Sequence, residues 1–287
     1  MSKLIAKKGM FLDIHNDIYH ADRSMVSKSW LDRVAKTPLH LRQYLDTPYE
    51  KTLALILGSA VDCLVFEPEQ FDDLFVEGPD ESKRTKIGKE IWAEAIEHAK
   101  ETGRQIIEVH LETDYMDQCR KMATAIQTNP LMAKFLKNGH GQATFMAQDE
   151  DTGLWKKCKT DWYDPDTNTV IDLKTAVSAS PFEFARSIAN YRYHVQDSYY
   201  SDIIEQVTGE KPRFLFAVIE KPPKEIDPDP SMMAFYELNE LEKEAGTDTY
   251  LSDLAAIAFA LDTDVWTGYA DEVLPICRPA WAVSRDK

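Results

Sequence analysis

Cysteines are few in this sequence, and none lies close to another along the chain. The 287 residues include four of them, at positions 63, 119, 158 and 277. A zinc ribbon requires C-x-x-C pairs, and a small disulfide framework requires several cysteines at short spacings. Neither is therefore expected, and we interpret the four residues as free, buried thiols.

A long apolar run is also missing. The longest, residues 53–66, is broken by Ser59 and Asp62 and is shorter than the roughly 20 apolar residues that a membrane span needs. The apolar stretch that follows the first lysines, residues 9–13, is too short for a signal peptide. These features predict a cytoplasmic protein with no membrane partner.

Positive charge is in deficit. The chain has 33 basic residues against 49 acidic ones, which gives a net charge of −16. A protein that coats nucleic acid by bulk attraction needs the opposite balance. A metal-dependent enzyme that acts on nucleic acid is not excluded, because divalent cations held by carboxylates make a site locally positive.

The organisation of the chain favours one domain over residues 1–287. Apolar residues make up 44% and charged residues 29%, as in ordinary globular proteins, and we find no linker or repeat. Residues 1 to about 140 are predicted to be mostly helical, and residues 141–287 to form the core that carries the chemistry. Periodicity and capping residues predict helices over residues 28–36, 51–66, 86–101, 111–127, 181–189, 194–207 and 239–261.

Short β-like runs begin after residue 143. Thr144–Gln148, Leu154–Tyr163 and Thr169–Lys174 are separated by turn clusters at residues 149–153 and 164–168, which predicts a three-stranded antiparallel meander. Further strands are expected at residues 213–219 and about 232–238. Strands that alternate with helices in this way imply an α/β domain with a mixed sheet.

Two carboxylates and a lysine are expected to meet on this meander. Asp161 is predicted to end the middle strand, and Asp172-Leu173-Lys174 to end the third. Side chains alternate along a strand, so Asp172 and Lys174 share one face while Leu173 points into the core. Hydrolysis of a phosphodiester needs such a set, because carboxylate oxygens bind Mg²⁺ and a cation beside them can orient water and stabilise the transition state.

The spacing alone is a weak signal. In a chain with 49 acidic residues a D/E-x-K match is expected by chance, and Glu81-Ser82-Lys83 is one that lies in a polar stretch without strand neighbours. An ion pair on the solvent face of an edge strand would explain Asp172 and Lys174 equally well.

A wider pattern decides between these alternatives. The segment Tyr191–Asp202 resembles the one that follows the catalytic hairpin in the RecE family of phage recombination exonucleases (exodeoxyribonuclease VIII), and Gln196 and Tyr200 match the Q-x-x-x-Y motif of RecB-type nucleases. On a helix these two residues share a face. The resemblance extends in order along most of the chain, through Asp13-Ile14-x-Asn16-x-x-Tyr19-His20, Ser27-Lys28-Ser29, Thr37-Pro38, Leu57-Gly58-x-Ala60, Glu67-Pro68-Glu69-x-Phe71, Gly139-His140, Asp161, Asp172-x-Lys174-Thr175 and Thr263-Asp264-x-Trp266.

The resemblance implies a restriction-endonuclease-like PD-(D/E)xK core with an N-terminal helical elaboration. It implies catalytic roles for Asp161, Asp172, Lys174, Gln196 and Tyr200, and one or two Mg²⁺ ions, replaceable by Mn²⁺, held by Asp62, Asp161, Asp172 and Leu173. The implied activity is removal of one strand of linear duplex DNA from its 5′ end, which leaves a 3′ overhang for an annealing protein, in a bacterial cell and encoded by a phage or prophage.

Two positions depart from the family pattern. Asp62 stands four residues after Gly58, where the family has a histidine ligand, and Gln142 stands where it has a glutamate. An aspartate is a suitable hard ligand for Mg²⁺, although a solvent-facing helix carboxylate is the alternative. Gln142 carries no charge and is not proposed as a ligand. These departures keep open a non-catalytic module that binds DNA ends, and a structure-specific endonuclease is the rival within the nuclease class.

DNA contacts are expected from four cationic residues near the predicted site. Lys159 shares a strand face with Asp161, and His194 precedes Gln196; Arg186 and Arg192 are candidates to hold a terminal 5′-phosphate. Two of these residues have a structural alternative. Lys159 could line an edge strand with Lys156 and Lys157 and prevent aggregation, and His194 could be a packing residue.

The assembly is predicted to be a closed ring of three or four identical subunits around duplex DNA. A chain this acidic has little bulk attraction for a polyanion. To stay on the DNA through repeated cleavage, the protein would therefore have to encircle it. RecE and, more distantly, phage lambda exonuclease imply the same. Light scattering at low protein concentration should therefore give three or four times the mass of one chain. A monomer that still degrades long duplexes processively would contradict the ring.

Overall fold

A mixed α/β architecture is seen in the computed structural model, which describes residues 4–47, 51–107, 109–110, 113–221 and 226–278. Its helices are α1 (Asn16–Ala21), α2 (Lys28–Val34), α3 (Pro38–Asp46), α4 (Leu53–Phe66), α5 (Phe71–Leu74), α6 (Lys86–Thr102), α7 (Tyr115–Thr128), α8 (Met132–Phe135), α9 (Pro181–Tyr191), α10 (Tyr193–Thr208) and α11 (Glu240–Thr263). Its strands are β1 (Gly9–Phe11), β2 (Phe75–Glu77), β3 (Gln105–Ile107), β4 (Val109–His110), β5 (Thr113–Asp114), β6 (His140–Gly141), β7 (Thr144–Gln148), β8 (Trp155–Lys159), β9 (Trp162–Asp164), β10 (Thr169–Ala176), β11 (Arg213–Glu220) and β12 (Met233–Tyr236).

The main sheet has five strands in the order β12-β11-β10-β9-β6. Strands β10 and β11 run parallel, whereas β9 and β12 pair antiparallel with their neighbours. The predicted mixed sheet is therefore confirmed. A second sheet has the order β1-β7-β8.

The predicted middle strand of the meander is interrupted. Residues 155–159 belong to the second sheet and residues 162–164 to the main sheet, with Thr160 and Asp161 between them. The partner strand breaks at the same level, where Gln142 donates its backbone N–H to the Asp161 carbonyl at 3.0 Å and has a φ of 52°. Asp161 therefore lies at a bend within a hairpin, and not at a strand end.

Helix predictions were accurate where caps are strong. Helix α6 ends at Gly103 in the left-handed conformation, and α4, α10 and α11 lie within two residues of the predicted bounds. Helix α7 begins at Tyr115, and residues 111 and 112 of the predicted 111–127 helix lie outside the described residues. The predicted helix from Lys28 ends at Val34, before Pro38. Pro38 opens α3, because a first-turn proline has no backbone donor to lose and Thr37 caps the helix.

The core fills both faces of the main sheet. On β10, Val170 packs on one face with residues of α2, α10 and α11, and Leu173 packs on the other with residues of α4 and α7. Cys63, Cys119 and Cys158 are buried as expected, whereas Cys277 is exposed, so that prediction was wrong for one thiol. Among the described residues, no helix is both long and apolar enough to cross a membrane.

Gly246 allows α11 to lie against α10. A Cβ at this position would overlap the His194 carbonyl oxygen and the Ser198 hydroxyl. Gly246→Ala should therefore lower the free energy of unfolding by about 1–3 kcal/mol, the usual effect of overpacking, as measured by urea denaturation. Gly58→Ala on α4 is the matched control: nothing lies within 4 Å of its new Cβ, so stability should stay equal or rise by about 0.5–1 kcal/mol. Equal stability of Gly246→Ala and wild type would contradict this helix packing.

Candidate active site

Asp172 and Lys174 lie on β10, where this strand pairs with β11 and has passed the last residue paired with β9, Ile171. The Asp172 side chain is buried, and its Oδ2 lies 2.5 Å from Lys174 Nζ. The two residues share a strand face, as the alternation of side chains predicts. The burial of Asp172 excludes the alternative interpretation, an ion pair that faces solvent.

Asp161 is attached to the same strand through its backbone. Its Oδ2 accepts a hydrogen bond of 2.8 Å from the Leu173 N–H. Leu173 itself points to the opposite face, into the cluster that contains Ile171 and Ala217. The bend at Asp161 therefore places this carboxylate beside Asp172 without using the strand end that the sequence suggested.

Helix α10 contributes Gln196. Its Nε2 donates to Asp172 Oδ1 at 2.6 Å, and the side chain is buried. Tyr200, one turn later, is a core residue that packs against Phe214. Burial raises the pKa of Tyr200, and the charges of Asp172 and Asp161 contribute to the shift. The Q-x-x-x-Y pair thus places an amide in contact with the carboxylates and a protonated phenol near them.

Asp62 completes a cluster of repelling carboxylates. It is half-buried on α4, and burial followed by the charge of Asp161 raises its pKa well above the usual range. Burial and the charge of Asp172 raise the pKa of Asp161 to about 7. Burial opposes the charge on Lys174, but Asp172 and Asp161 together raise the pKa of this lysine. Lys174 is therefore a permanent cation among the carboxylates.

The donor set fits a hard divalent cation, although the side chains do not enclose one as they stand. Asp172 Oδ2 is buried and accepts no hydrogen bond of good geometry, and carboxylate and carbonyl oxygens are the ligands that Mg²⁺ prefers. Within the described part of the chain, no three His, Cys, Asp or Glu side chains are grouped closely enough to hold a metal ion. Binding would therefore require the carboxylates to rotate towards one another, and their attraction to a divalent cation would have to outweigh their mutual repulsion.

Two of the four predicted DNA contacts are engaged within the protein. Lys159 Nζ donates to the Ile14 carbonyl at 2.6 Å and to Asn16 Oδ1 at 2.7 Å. The Arg192 guanidinium donates to the Leu31 carbonyl and pairs with Asp32 and Asp253. Both residues connect segments that are distant along the chain, and their contacts with phosphate stay a prediction.

The other two candidates remain compatible with DNA. Arg186 is exposed on α9, where its Nη1 lies 3.3 Å from Glu183 Oε1. His194 is half-buried in the first turn of α10, and burial lowers its pKa. Lysines 156 and 157, which could have lined an exposed edge, are buried in ion pairs with Asp149, Asp202 and Asp22.

Tyr193 and Lys28 are site neighbours that the sequence analysis missed. The ring of Tyr193 has its centroid 4.8 Å from Lys174 Nζ. Lys28 pairs with Asp32, and the positive charges of Arg192 and Lys174 reach it. The sequence contained a hint of both, because each residue lies in a motif that resembles the RecE family. Neither residue was assigned a role within its motif.

Comparison with known proteins identifies the class of domain. The main sheet flanked by helices has its counterpart in a crystal structure of a presumed exonuclease from Eubacterium rectale, which is 17% identical, aligns over 96% of this chain and 99% of that one, and has a TM-score of 0.62. A phage-related exonuclease from Haemophilus somnus 129PT aligns over 84% and 96% with 11% identity, but its TM-score of 0.31 is too low to support an argument. No curated protein matches the chain significantly. The fold shared with the first structure, together with the match to a PDDEXK-like family described next, identifies a restriction-endonuclease-like fold, as in nucleases of the PD-(D/E)xK class.

The family follows from the sequence itself. Residues 27–278 match the model of the PDDEXK-like domain of unknown function DUF3799. The chain belongs to this family.

Neutralising Asp161 should stabilise the metal-free protein in a pH-dependent way. The folded pKa of about 7 lies above the ordinary value of 3.8, so the folded state binds the extra proton and wild type loses stability as pH rises from about 4 to 7. Asp161→Asn can still accept from the Leu173 N–H. In EDTA its melting temperature should exceed that of wild type by about 2–4 °C at pH 8, as roughly 1 kcal/mol produces in a chain of this size, and by little at pH 4.

Asp151→Asn is the matched control, since Asp151 is an exposed carboxylate in the turn before β8. Its melting temperature should follow that of wild type at every pH. An Asp161→Asn variant that behaves the same way would show that the three carboxylates do not repel one another as described.

Proposed function

We propose that the protein is a Mg²⁺-dependent exodeoxyribonuclease that degrades one strand of linear duplex DNA from the 5′ end. The observation that carries the proposal is the set of contacts around β10, in which Asp172 meets both Lys174 and Gln196 while Asp161 is fixed to the Leu173 N–H. In a domain of the PDDEXK-like family, this set supplies ligands, a cation and an orienting amide for phosphodiester hydrolysis.

Each residue has a separate task in this mechanism. Asp62, Asp161, Asp172 and the carbonyl of Leu173 would hold the metal, which supplies Lewis acidity and a nucleophilic water when bound. Gln196 fixes the orientation of the Asp172 carboxylate through its 2.6 Å hydrogen bond. Lys174, kept charged by Asp172 and Asp161, orients the attacking water and stabilises the negative charge that develops on the phosphate.

The finer parts of the proposal rest on resemblance to the RecE family. Attack from the 5′ end, a 3′ overhang, a role in recombination with an annealing protein and a phage or prophage origin are all supported by the motifs from Asp13 to Trp266. The same resemblance supports the ring of three or four subunits, and Mn²⁺ is proposed to substitute for Mg²⁺. The fold shared with a presumed exonuclease is compatible with this activity.

A second candidate is a module that binds DNA ends without cutting them. It is favoured by Gln142, which lies opposite Asp161 in the hairpin without a charge, and by the loose grouping of the carboxylates. A structure-specific endonuclease is the third possibility. Linear duplex and closed circular DNA, incubated with Mg²⁺, separate the three: an exonuclease degrades only the linear form, an endonuclease cuts flaps or the circle, and a binding module cuts neither.

Asp172→Ala and Lys174→Ala should each lower the rate of linear duplex degradation by at least about a hundredfold, the usual loss when a group that stabilises transition-state charge is removed. The measurement is the release of nucleotides from 5′-labelled linear DNA, with circular dichroism to verify the fold of each variant. Lys121→Ala is the matched control, because Lys121 lies on α7 and forms exposed ion pairs with Asp117 of the same helix and with Asp227. Substantial Mg²⁺-dependent activity in a folded Asp172→Ala or Lys174→Ala variant would overturn the assignment of the site.

A further inference from the structure

An aromatic stack runs from the core to the surface beside Lys174. Phe216 is fully buried on β11, and its ring stacks on Tyr193 with a centroid distance of 5.6 Å and an interplanar angle of 28°. Tyr193 stacks in turn on Tyr191 with the same distance and angle. Tyr191 ends the series and is 62% exposed. Tyr193 thus lies against one face of its ring, while most of the residue is open to solvent.

The backbone adopts a costly conformation that brings the two tyrosines together. Residues i and i+2 of a continuous helix point in different directions and do not face each other. Arg192, between them, has a φ of 55° and both ends α9 and begins α10. A left-handed conformation is unfavourable for a residue other than glycine, so other contacts must hold Arg192 in it.

Arg192 is held by its own side chain. The guanidinium donates to the Leu31 carbonyl at 2.8 Å, and it pairs with Asp253 at 2.5 Å and with Asp32 at 3.3 Å. Segments from α2 and α11 therefore fix the bend between α9 and α10. Backbone strain that is kept by surrounding contacts is characteristic of functional positions. Here the strained backbone of Arg192 aligns the ring of Tyr191 with that of Tyr193.

The stack is adjacent to the proposed chemistry. The centroid of the Tyr193 ring lies 4.8 Å from Lys174 Nζ, so Tyr191 is one ring further from the lysine that is proposed to contact the scissile phosphate. The Tyr191 carbonyl accepts from Lys28 Nζ at 3.3 Å, and the same ammonium pairs with Asp32 at 2.7 Å. A flat ring one residue away from the Lys174 contact matches a nucleotide, which pairs a flat base with an anionic phosphate.

We propose that Tyr191 is a stacking platform for a nucleobase of the strand being cut, next to the scissile phosphate. The inference rests on the proposed nuclease function and extends it by assigning the residue that holds the substrate strand. A base extends the Phe216–Tyr193–Tyr191 series by one more ring. Since every base has a flat face, such a contact tolerates any sequence, as an enzyme that removes successive nucleotides requires.

The test compares Tyr191→Ala with Tyr191→Phe on DNA that carries or lacks the base. Stacking on one base is worth about 1–3 kcal/mol, so Tyr191→Ala should lower kcat/KM on ordinary linear duplex by roughly 5- to 150-fold, mainly through KM, while Tyr191→Phe keeps the rate of wild type. Abasic sugars are placed in turn at the first three positions of the 5′-terminated strand. On the substrate that lacks the stacked base, Tyr191→Ala and wild type should have equal kcat/KM.

A second readout does not depend on cleavage. 2-Aminopurine placed at the position identified by the abasic series should lose fluorescence on binding to wild type and to Tyr191→Phe in EDTA, but not on binding to Tyr191→Ala. Tyr269→Ala is the matched control: Tyr269 is 79% exposed, and its ring packs edge-on against His40, so neither kcat/KM nor quenching should change.

The outcomes separate this inference from the proposed function. If wild type cuts linear DNA while Tyr191→Ala shows the same kcat/KM and the same quenching, the stacking platform is wrong and the nuclease proposal stands. Equal losses for Tyr191→Ala on ordinary and on every abasic DNA would also overturn the platform, because the effect would not require the base. Wild type that neither binds nor cuts linear DNA would overturn both.

Discussion

The mutual repulsion of Asp62, Asp161 and Asp172 is the constraint on which the rest of the site depends. Burial and proximity raise the pKa of both Asp62 and Asp161, so the protein must hold together groups that would separate if they were free. Three contacts hold two of these groups: the Lys174 ammonium and the Gln196 amide on Asp172, and the Leu173 N–H on Asp161. Each originates in a regular element, β10 or α10, that the core on both faces of the main sheet keeps in place.

In the proposed metal site, this arrangement would lower stability in exchange for affinity for a cation. A buried cluster with more negative than positive charge is unfavourable without a partner, and the lysine offsets only part of the excess. A divalent cation would remove the remaining repulsion, so the energy stored in the cluster would appear as affinity for metal. The loose spacing of the carboxylates is consistent with that view, because side chains that repel one another do not converge until a cation is between them.

Local patterns predicted part of the site, and long-range contacts decided the rest. The shared face of Asp172 and Lys174 follows from the period of a strand, and the helix that carries Gln196 follows from Gly209 as its stop. The bend at Asp161 was not predictable, because it depends on Gln142 across the hairpin. Lys159 and Arg192 looked like free cations for the same reason: their partners, such as Asn16 and Asp32, lie more than a hundred residues away along the chain.

The fate of the lysines bears on how so acidic a chain could hold DNA. Lysines 156, 157 and 159 form the most basic segment of the core, yet they bind Asp149, Asp202, Asp22 and backbone carbonyls inside the protein. Their positive charge therefore stabilises the fold and does not form an exposed row of cations for phosphates. If the protein acts on DNA as proposed, the attraction would have to come from the charges at the site itself and from contacts that do not depend on charge. An exposed ring held rigidly beside Lys174, and encirclement by a ring of subunits, are the two proposed contacts of that kind.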